Sequence, residues 1–209
     1  MENLKCESNA AAASAKLINI HDGYKDQPLP VHEVATHLVL PYCLMIYNCH
    51  GDFNIGALVR TGSCLAVKTV FTVGRRKFDG RTLVGCRNYI KLVRLGLDDL
   101  SPDPVSWFRD QGMFPVFIEQ GGSDISEYDF RRFWSWGESE RSMIPCLVVG
   151  SECDGLPEDF IASFPDSPRL SIGQPGVIRS LNVACAGSMA MERIYYAWRR
   201  QVIDRYGLL

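Results

Sequence analysis

The stretch Leu147–Pro157, with the sequence LVVGSECDGLP, indicates the type of fold. Together with Cys146, its apolar beginning is typical of a short buried strand, and Gly150 ends that strand. Gly155 and Pro157 then predict a turn that leads into a helix. A buried strand followed by a turn and a helix is the unit from which α/β proteins with parallel sheets are built.

Further segments of the same type lie on both sides of this stretch. Short apolar runs predict strands at PYCLMIY (Pro41–Tyr47), TVFTV (Thr69–Val73), YIKLV (Tyr89–Val93), MFPVFI (Met113–Ile118) and PRLSI (Pro168–Ile172). We also expect a helix from Asn54 and a last helix from about Leu181 to Arg200. Because strands and helices alternate, the sequence predicts an α/β fold with a mainly parallel sheet and flanking helices.

Composition and charge limit the classes of function. Of the 209 residues, 46% are hydrophobic and 22% are charged, as in a soluble globular protein. The formal net charge is -2, so any binding to nucleic acid needs a local basic patch. No apolar run approaches the ~20 residues of a membrane-spanning helix, and the N-terminus has no signal-peptide core. We therefore expect a cytoplasmic protein without a membrane partner.

The chain divides into a short polar segment and one domain. Residues 1–38 are polar and rich in Ala and Ser, which predicts a loose arm or a short helical extension. Residues 39–209 are expected to form a single domain, because a chain of this length can bury one core. No internal repeat or low-complexity linker interrupts residues 41–209.

The eight cysteines do not predict a metal site. No two of them form a C-x-x-C pair and none has a histidine close behind it, whereas zinc sites normally need such paired spacing. The four histidines are scattered as well. We expect no metal, and we interpret the cysteines as reduced thiols that fill gaps in the core.

Functional residues are expected where strands lead into loops, because open α/β sheets bind ligands beyond the carboxyl ends of their strands. Three such junctions carry polar residues: NIGALVR (54–60), GSECDG (150–155) and SLNVA (180–184). The chain contains neither G-x-G-x-x-G nor G-x-x-x-x-G-K-[ST]. The usual dinucleotide and phosphate loops are therefore not expected.

Each junction also has a purely structural interpretation. Asn54 can cap the first helix, and Glu152 can lie in an ordinary turn. Ser180 can cap the last helix, although Val183 stands where a capping box needs Glu or Gln. In that interpretation Asn182 has no capping role.

Together the three motifs resemble, in content, order and spacing, those of the SpoU/TrmH branch of the SPOUT RNA methyltransferases. The resemblance covers about residues 41–200. It implies a C-terminal trefoil knot, S-adenosylmethionine as cofactor, and a homodimer with each active site at the interface. The implied reaction is methyl transfer to a ribose 2′-hydroxyl of RNA. The last motif is most similar to members that methylate a tRNA guanosine, so tRNA is favoured, rRNA is possible and DNA is not expected.

The resemblance also implies roles for individual residues. Arg60 matches the catalytic arginine and would position and activate the ribose hydroxyl, since a guanidinium normally stays charged. Asn54 and Glu152 would hold Arg60 and the ribose, whereas Ser180 and Asn182 would orient the arginine and the nucleotide. The residues that would contact the cofactor, largely through backbone groups, are Gly150, Ile172 and Leu181.

The choice of RNA and the alternatives to catalysis remain open. The basic stretch 74–91, GRRKFDGRTLVGCRNYIK, predicts either an RNA-binding patch or a solvated loop. A non-catalytic RNA-binding relative is one alternative, and the intact set of polar motif residues argues against it. An unrelated α/β enzyme for another nucleotide is a second alternative, which the missing phosphate loops disfavour.

Overall fold

A computed structural model describes residues 39–74, 78–100, 103–134 and 143–206. Residues 1–38, for which the sequence predicts an arm or a helical extension, lie outside these ranges. Within the described residues, the elements are β1 Leu40–Tyr47, α1 Asp52–Cys64, β2 Val67–Val73, β3 Leu92–Leu95, α2 Pro104–Asp110, β4 Met113–Asp124, β5 Ile144–Val149, α3 Glu158–Ala162, β6 Arg169–Ser171 and α4 Val183–Tyr206. Short 3-10 helices lie at Gly80–Leu83, Cys86–Asn88, Leu97–Asp99 and Phe130–Trp134.

In the described part of the chain, the strands form a parallel six-stranded sheet with the order β3-β2-β1-β5-β4-β6. The central strands β1 and β5 are buried over almost their whole length, because helices cover both faces of the sheet. The predicted α/β fold with a mainly parallel sheet is confirmed. The C-terminal trefoil knot stays a prediction.

A hydrophobic core lies on each face of the sheet. Along β1 the side chains alternate, so that Leu44 and Ile46 face one core while Cys43 and Met45 face the other. The first core is closed by helices α1 and α4, and the second by α2 and α3. The two cores fix the sheet, and with it the edge where the carboxyl ends of the strands meet.

Small residues bring α1 and α4 close together. A side chain at Gly187 would collide with Leu58 of α1. One turn further along α1, the Ser188 hydroxyl lies 3.1 Å from that of Thr61. This packing places the start of α4 beside the start of α1, where two of the three sequence motifs lie.

Both motif helices begin differently from the sequence prediction. Helix α1 begins at Asp52, and its N-cap residue Gly51 makes no side-chain cap, so Asn54 is not the cap. Helix α4 begins at Val183 and ends at Tyr206, so it extends beyond the predicted end at Arg200. None of the helices in the described part of the chain is long and apolar enough to cross a membrane.

Candidate active site

A cleft of about 620 Å³ lies beyond the carboxyl ends of β5 and β6. Its walls are residues Ile118–Gln120 in the second half of β4, the loop that follows β5, and the segment between β6 and α4. The three predicted cofactor residues all line this cleft, together with three of the predicted catalytic residues: Gly150, Ile172, Leu181, Glu152, Ser180 and Asn182. Residues from two separate motifs therefore meet at one place, while their roles stay predictions.

Glu152 is the centre of a hydrogen-bond network between the loop after β5 and the loop after β1. Its Oε1 accepts from the Cys49 thiol, the Gly51 N–H and the Asn54 side-chain amide at 2.9, 2.9 and 2.7 Å. Its Oε2 accepts from the His50 N–H at 2.9 Å. One carboxylate thus fixes three consecutive residues, and also Asn54 in the first turn of α1.

These donors keep Glu152 ionised. Burial alone would raise its pKa, but hydrogen bonds from the Cys49 thiol, the His50 N–H and the Asn54 amide outweigh burial, so the pKa of Glu152 lies well below its usual range. A carboxylate with such a low pKa is a poor general base at neutral pH. Its geometry suits the positioning of other groups.

Asn54 and Asn182 extend the network from Glu152 to the last helix. A carboxylate only accepts, so the Asn54 amide group faces it and leaves its oxygen Oδ1 for Asn182. Asn182 Nδ2 donates to that oxygen at 3.0 Å. The Asn182 oxygen then accepts from the N–H groups of Ala184 and Cys185 at 2.9 and 3.4 Å. The chain of hydrogen bonds links all three motifs.

Asn182 is consequently the N-cap of α4, and the prediction that Ser180 caps this helix is wrong. The helix begins at Val183, so its first free N–H groups lie within reach of the Asn182 side chain and not of Ser180. Ser180 is exposed and lines the cleft. Beside it, the Arg179 carbonyl accepts from Gln120 Nε2 at 3.3 Å, which ties this segment to the end of β4.

Arg60 does not join the cleft. The family resemblance implies that Asn54 and Glu152 hold it, but among the described residues no hydrogen bond or ion pair connects the guanidinium to them or to Asn182. Six residues along an α-helix correspond to about 240° around its axis, so Arg60 and Asn54 point to different sides. Arg60 is exposed and lies near Cys86. The pKa of that thiol is raised chiefly by burial, and the charge of Arg60 acts in the opposite direction.

The sequence analysis did not single out Glu119, a second carboxylate in the cleft. Its Oε2 accepts from the Leu156 N–H at 2.9 Å, and its Oε1 from the Gln120 N–H at 2.8 Å. Glu119 therefore holds the end of the loop after β5, the same loop that contains Glu152. Its position directly after the predicted strand MFPVFI was the available signal.

The basic stretch 74–91 is described only in part, because residues 75–77 lie outside the described ranges. Arg81 forms an ion pair with Asp79 at 2.6 Å, and its side chain is 91% exposed. Arg87 and Lys91 are exposed as well. Both predictions for this stretch, an RNA-binding patch and a solvated loop, remain compatible with these positions. Across the described ranges, no group of three or more His, Cys, Asp or Glu residues could hold a metal ion.

Comparisons with known proteins show a matching family and similar folds. The sequence profile of the SpoU rRNA Methylase family matches residues 41–192. The A. aeolicus TrmH/SpoU tRNA modifying enzyme is similar, with a TM-score of 0.64, 18% sequence identity, and coverage of 82% of this chain and 82% of that one. The SpoU methyltransferase AviRb from Streptomyces viridochromogenes, in complex with AdoMet, has a TM-score of 0.59 and 22% identity.

The AviRb match covers 79% of this chain but only 61% of AviRb, so this chain spans less than two thirds of that protein. A structure reported for the 2-OH methylation of C/U34 on tRNA has a TM-score of 0.57 and 24% identity, and covers 76% of this chain and 98% of that one. None of the curated proteins matches this chain significantly. The structural likenesses show the fold, and the profile match extends over most of the sequence: this chain belongs to the SpoU rRNA methylase family.

Proposed function

We propose that this protein is an S-adenosylmethionine-dependent RNA methyltransferase that modifies a ribose 2′-hydroxyl. The observation that carries the proposal is the hydrogen-bond chain Glu152–Asn54–Asn182, which joins the three motifs at the edge of one cleft. Membership of the SpoU family supports methyl transfer to RNA. The AdoMet complex of the similar Streptomyces protein supports the cofactor.

The cleft fits S-adenosylmethionine in size and chemistry. Its volume of about 620 Å³ lies in the range of sites for small molecules. Ile118, Ile172 and Leu181 offer apolar surface for a purine ring. Glu119 and Asp154 add negative charge for a ligand that carries a sulfonium and an ammonium group. We propose that Gly150, Ile172 and Leu181 contact the cofactor, largely through their backbone groups.

When bound, the cofactor supplies a methyl group on a positively charged sulfur, and the protein must align a ribose hydroxyl with it. A hydroxyl loses its proton during such a transfer, so a group that stabilises the developing oxyanion assists. Ser180 and Asn182 border the cleft and are suited to hold the nucleotide. Glu152 and Asn54 keep Asn182 in place. Alignment of this kind can supply several kcal/mol of the barrier reduction.

The remaining group, Arg60, is proposed to act on the same hydroxyl from a second copy of the chain. Arg60 lies outside the cleft of its own chain and is exposed. Large apolar side chains lie exposed on the segment beside the cleft and at the start of α1, with exposed fractions of 99% for Val177, 77% for Ile178 and 84% for Phe53. Such a surface is typical of a contact between proteins. A homodimer would cover it and complete the site.

The proposed substrate is a guanosine of a tRNA in the cytoplasm. The form of the last motif favours tRNA, and two of the similar structures belong to proteins described as acting on tRNA. Ribosomal RNA is the alternative substrate, because the matching family is described as an rRNA methylase family. A non-catalytic RNA-binding relative is the second candidate function, which the position of Arg60 outside the cleft favours.

The test is methyl incorporation from labelled S-adenosylmethionine into unmodified total tRNA and, separately, rRNA, followed by digestion to nucleosides. We expect a 2′-O-methylated guanosine from tRNA. If label appears only in rRNA, the substrate is rRNA and the tRNA proposal is contradicted. A base-methylated nucleoside would contradict the proposed ribose 2′-hydroxyl target. Cofactor binding without incorporation into either RNA would favour the non-catalytic relative, and no cofactor binding would contradict the proposal as a whole.

A further inference from the structure

Cys49 is a buried thiol next to the candidate active site, in the loop between β1 and α1. Its exposed fraction is 2%. Its Sγ lies 2.9 Å from Glu152 Oε1, on a residue 103 positions further along the chain. The sequence favours a gap-filling role for every cysteine, but this thiol makes a close contact with a charged group and therefore needs a separate explanation.

The thiol occupies a defined place among the donors to Glu152. Among the described residues, three donors share Oε1, namely the Cys49 thiol, the Gly51 N–H and the Asn54 amide, whereas the His50 N–H donates to Oε2. The thiol is the most buried of these groups, so water competes with it least. It therefore contacts the carboxylate from the core side, whereas the other donors are the backbone N–H groups of His50 and Gly51 and the side chain of Asn54 in α1.

We propose that Cys49 is a positioning residue of the active site, which orients Glu152 and through it Asn54 and Asn182. The effect on turnover rests on the proposed function, whereas the effect on the geometry does not. A hydrogen bond to a charged group contributes more than one between neutral groups. Removal of the thiol should let the carboxylate rotate and loosen the Asn54 amide, which is the next member of the chain.

Substitutions at Cys49 separate hydrogen bonding from packing. Cys49→Ala removes the donor, whereas Cys49→Ser keeps a donor of similar size with a shorter carbon–heteroatom bond. Cys146→Ala is the matched control, because Cys146 is 0% exposed in the middle of β5 and lies in the core on the other face of the sheet. Both alanine variants leave a cavity of the same kind, but only Cys49→Ala takes a donor from Glu152.

The first readout is turnover on the RNA that the wild-type protein methylates. We expect roughly a tenfold lower kcat for Cys49→Ala, a change in KM for S-adenosylmethionine of less than about twofold, and recovery to near wild type in Cys49→Ser. Cys146→Ala should keep its kcat. Equal losses of kcat in Cys49→Ala and Cys146→Ala, or a wild-type kcat in Cys49→Ala, would overturn the inference.

The second readout does not need a substrate. Amide hydrogen exchange at Gly51, measured by NMR at neutral pH, reports the bond between its N–H and Glu152. We expect about tenfold faster exchange in Cys49→Ala, little change in Cys49→Ser and wild-type exchange in Cys146→Ala. Unchanged exchange in Cys49→Ala would overturn the inference even if methylation is found. Faster exchange in Cys49→Ala, in a protein that methylates no RNA, would uphold it while the proposed function fails.

Discussion

The first and the third turn of helix α1 have very different surroundings. In its first turn, the Asn54 side chain is fixed between Glu152 and Asn182 by hydrogen bonds of 2.7 and 3.0 Å. Less than two turns later, Arg60 is exposed, and among the described residues no hydrogen bond or ion pair holds its guanidinium. The first motif therefore contains one residue that is fixed by hydrogen bonds and one that no side chain in the described ranges fixes.

This difference shows which part of the site a single chain can build. Asn54 and Glu152 are preorganised, because each donor has one acceptor and the amide orientations follow from the charge of the carboxylate. Arg60 needs a partner from outside the described residues, such as the phosphate of a substrate or a second protein chain. The Glu152–Asn54–Asn182 network and Arg60 can therefore be tested separately.

The largest effect on methyl transfer is expected at Arg60. We predict that Arg60→Ala lowers methyl transfer about 100- to 1,000-fold, because it removes the positive charge that stabilises the developing oxyanion. Binding of S-adenosylmethionine, measured by calorimetry, should change by less than about twofold, since Arg60 does not line the cleft. Arg109→Ala, which alters an exposed arginine on α2, is the control. Equal loss of cofactor binding and turnover would show that Arg60 supports the cleft instead.

In the network that fixes Asn54, Glu152→Gln should reduce both turnover and stability. The glutamine places an NH₂ group where four donors now converge on a carboxylate, so at least one donor loses its acceptor. We expect the free energy of unfolding to fall by about 1–2 kcal/mol, since Glu152 is exposed and water can replace part of the network. The measurement is urea unfolding, with Glu127→Gln as the control, because Glu127 is an exposed glutamate in the turn after β4, outside this network. A wild-type midpoint in Glu152→Gln would contradict the network.

A smaller effect is expected on the pH dependence of folding stability, and the lowered pKa of Glu152 fixes its direction. The pKa of Glu152 is lower in the folded protein than in an unfolded chain, where it is about 4.3. Its ionised form therefore stabilises the fold above about pH 4.3, and this contribution is lost as the pH falls toward the lower folded value. Urea midpoints should fall less steeply below pH 5 in Glu152→Gln than in wild type. Identical slopes would show that the folded pKa is not lowered.

The smallest effect on stability is expected for Asn182→Asp. An aspartate still caps α4 through the N–H groups of Ala184 and Cys185, but it cannot donate to Asn54. Urea unfolding should change by less than about 0.5 kcal/mol, while methyl transfer falls. Asn182→Ala should lose about 1 kcal/mol because it also loses the cap, and Ser180→Ala should be near wild type in stability. A larger loss in Ser180→Ala than in Asn182→Ala would reverse the assignment of the cap.

Much of the fold follows from local sequence patterns. The apolar runs at 41–47, 113–118 and 146–150 correspond to β1, β4 and β5, because strands that are covered on both faces need continuous apolar residues. The run at 89–93 only partly coincides with β3, Leu92–Leu95. The order of the strands in the sheet depends on contacts between distant residues, which local patterns do not contain.

The sequence motifs name several residues that meet at the candidate site, but they do not contain the hydrogen bonds between them. Motif resemblance identifies Asn54, Glu152 and Asn182, yet only the structure joins them in this order. Asn182 was not recognised as the cap because the exact start of a helix depends on the preceding loop. Cys49 carries no motif, and its role appears only because folding brings it to Glu152.

The most direct test of a site shared between two chains is a mixing experiment with Arg60→Ala and Asn182→Ala. Each variant alone should be nearly inactive on the RNA that the wild-type protein methylates. If Arg60 of one chain serves the cleft of the other, co-refolded mixed dimers contain one intact site, and roughly a quarter of wild-type methyl transfer should return. If the mixture stays as inactive as the separate variants, although wild-type chains refold to full activity, the proposed division of the site between two chains is contradicted.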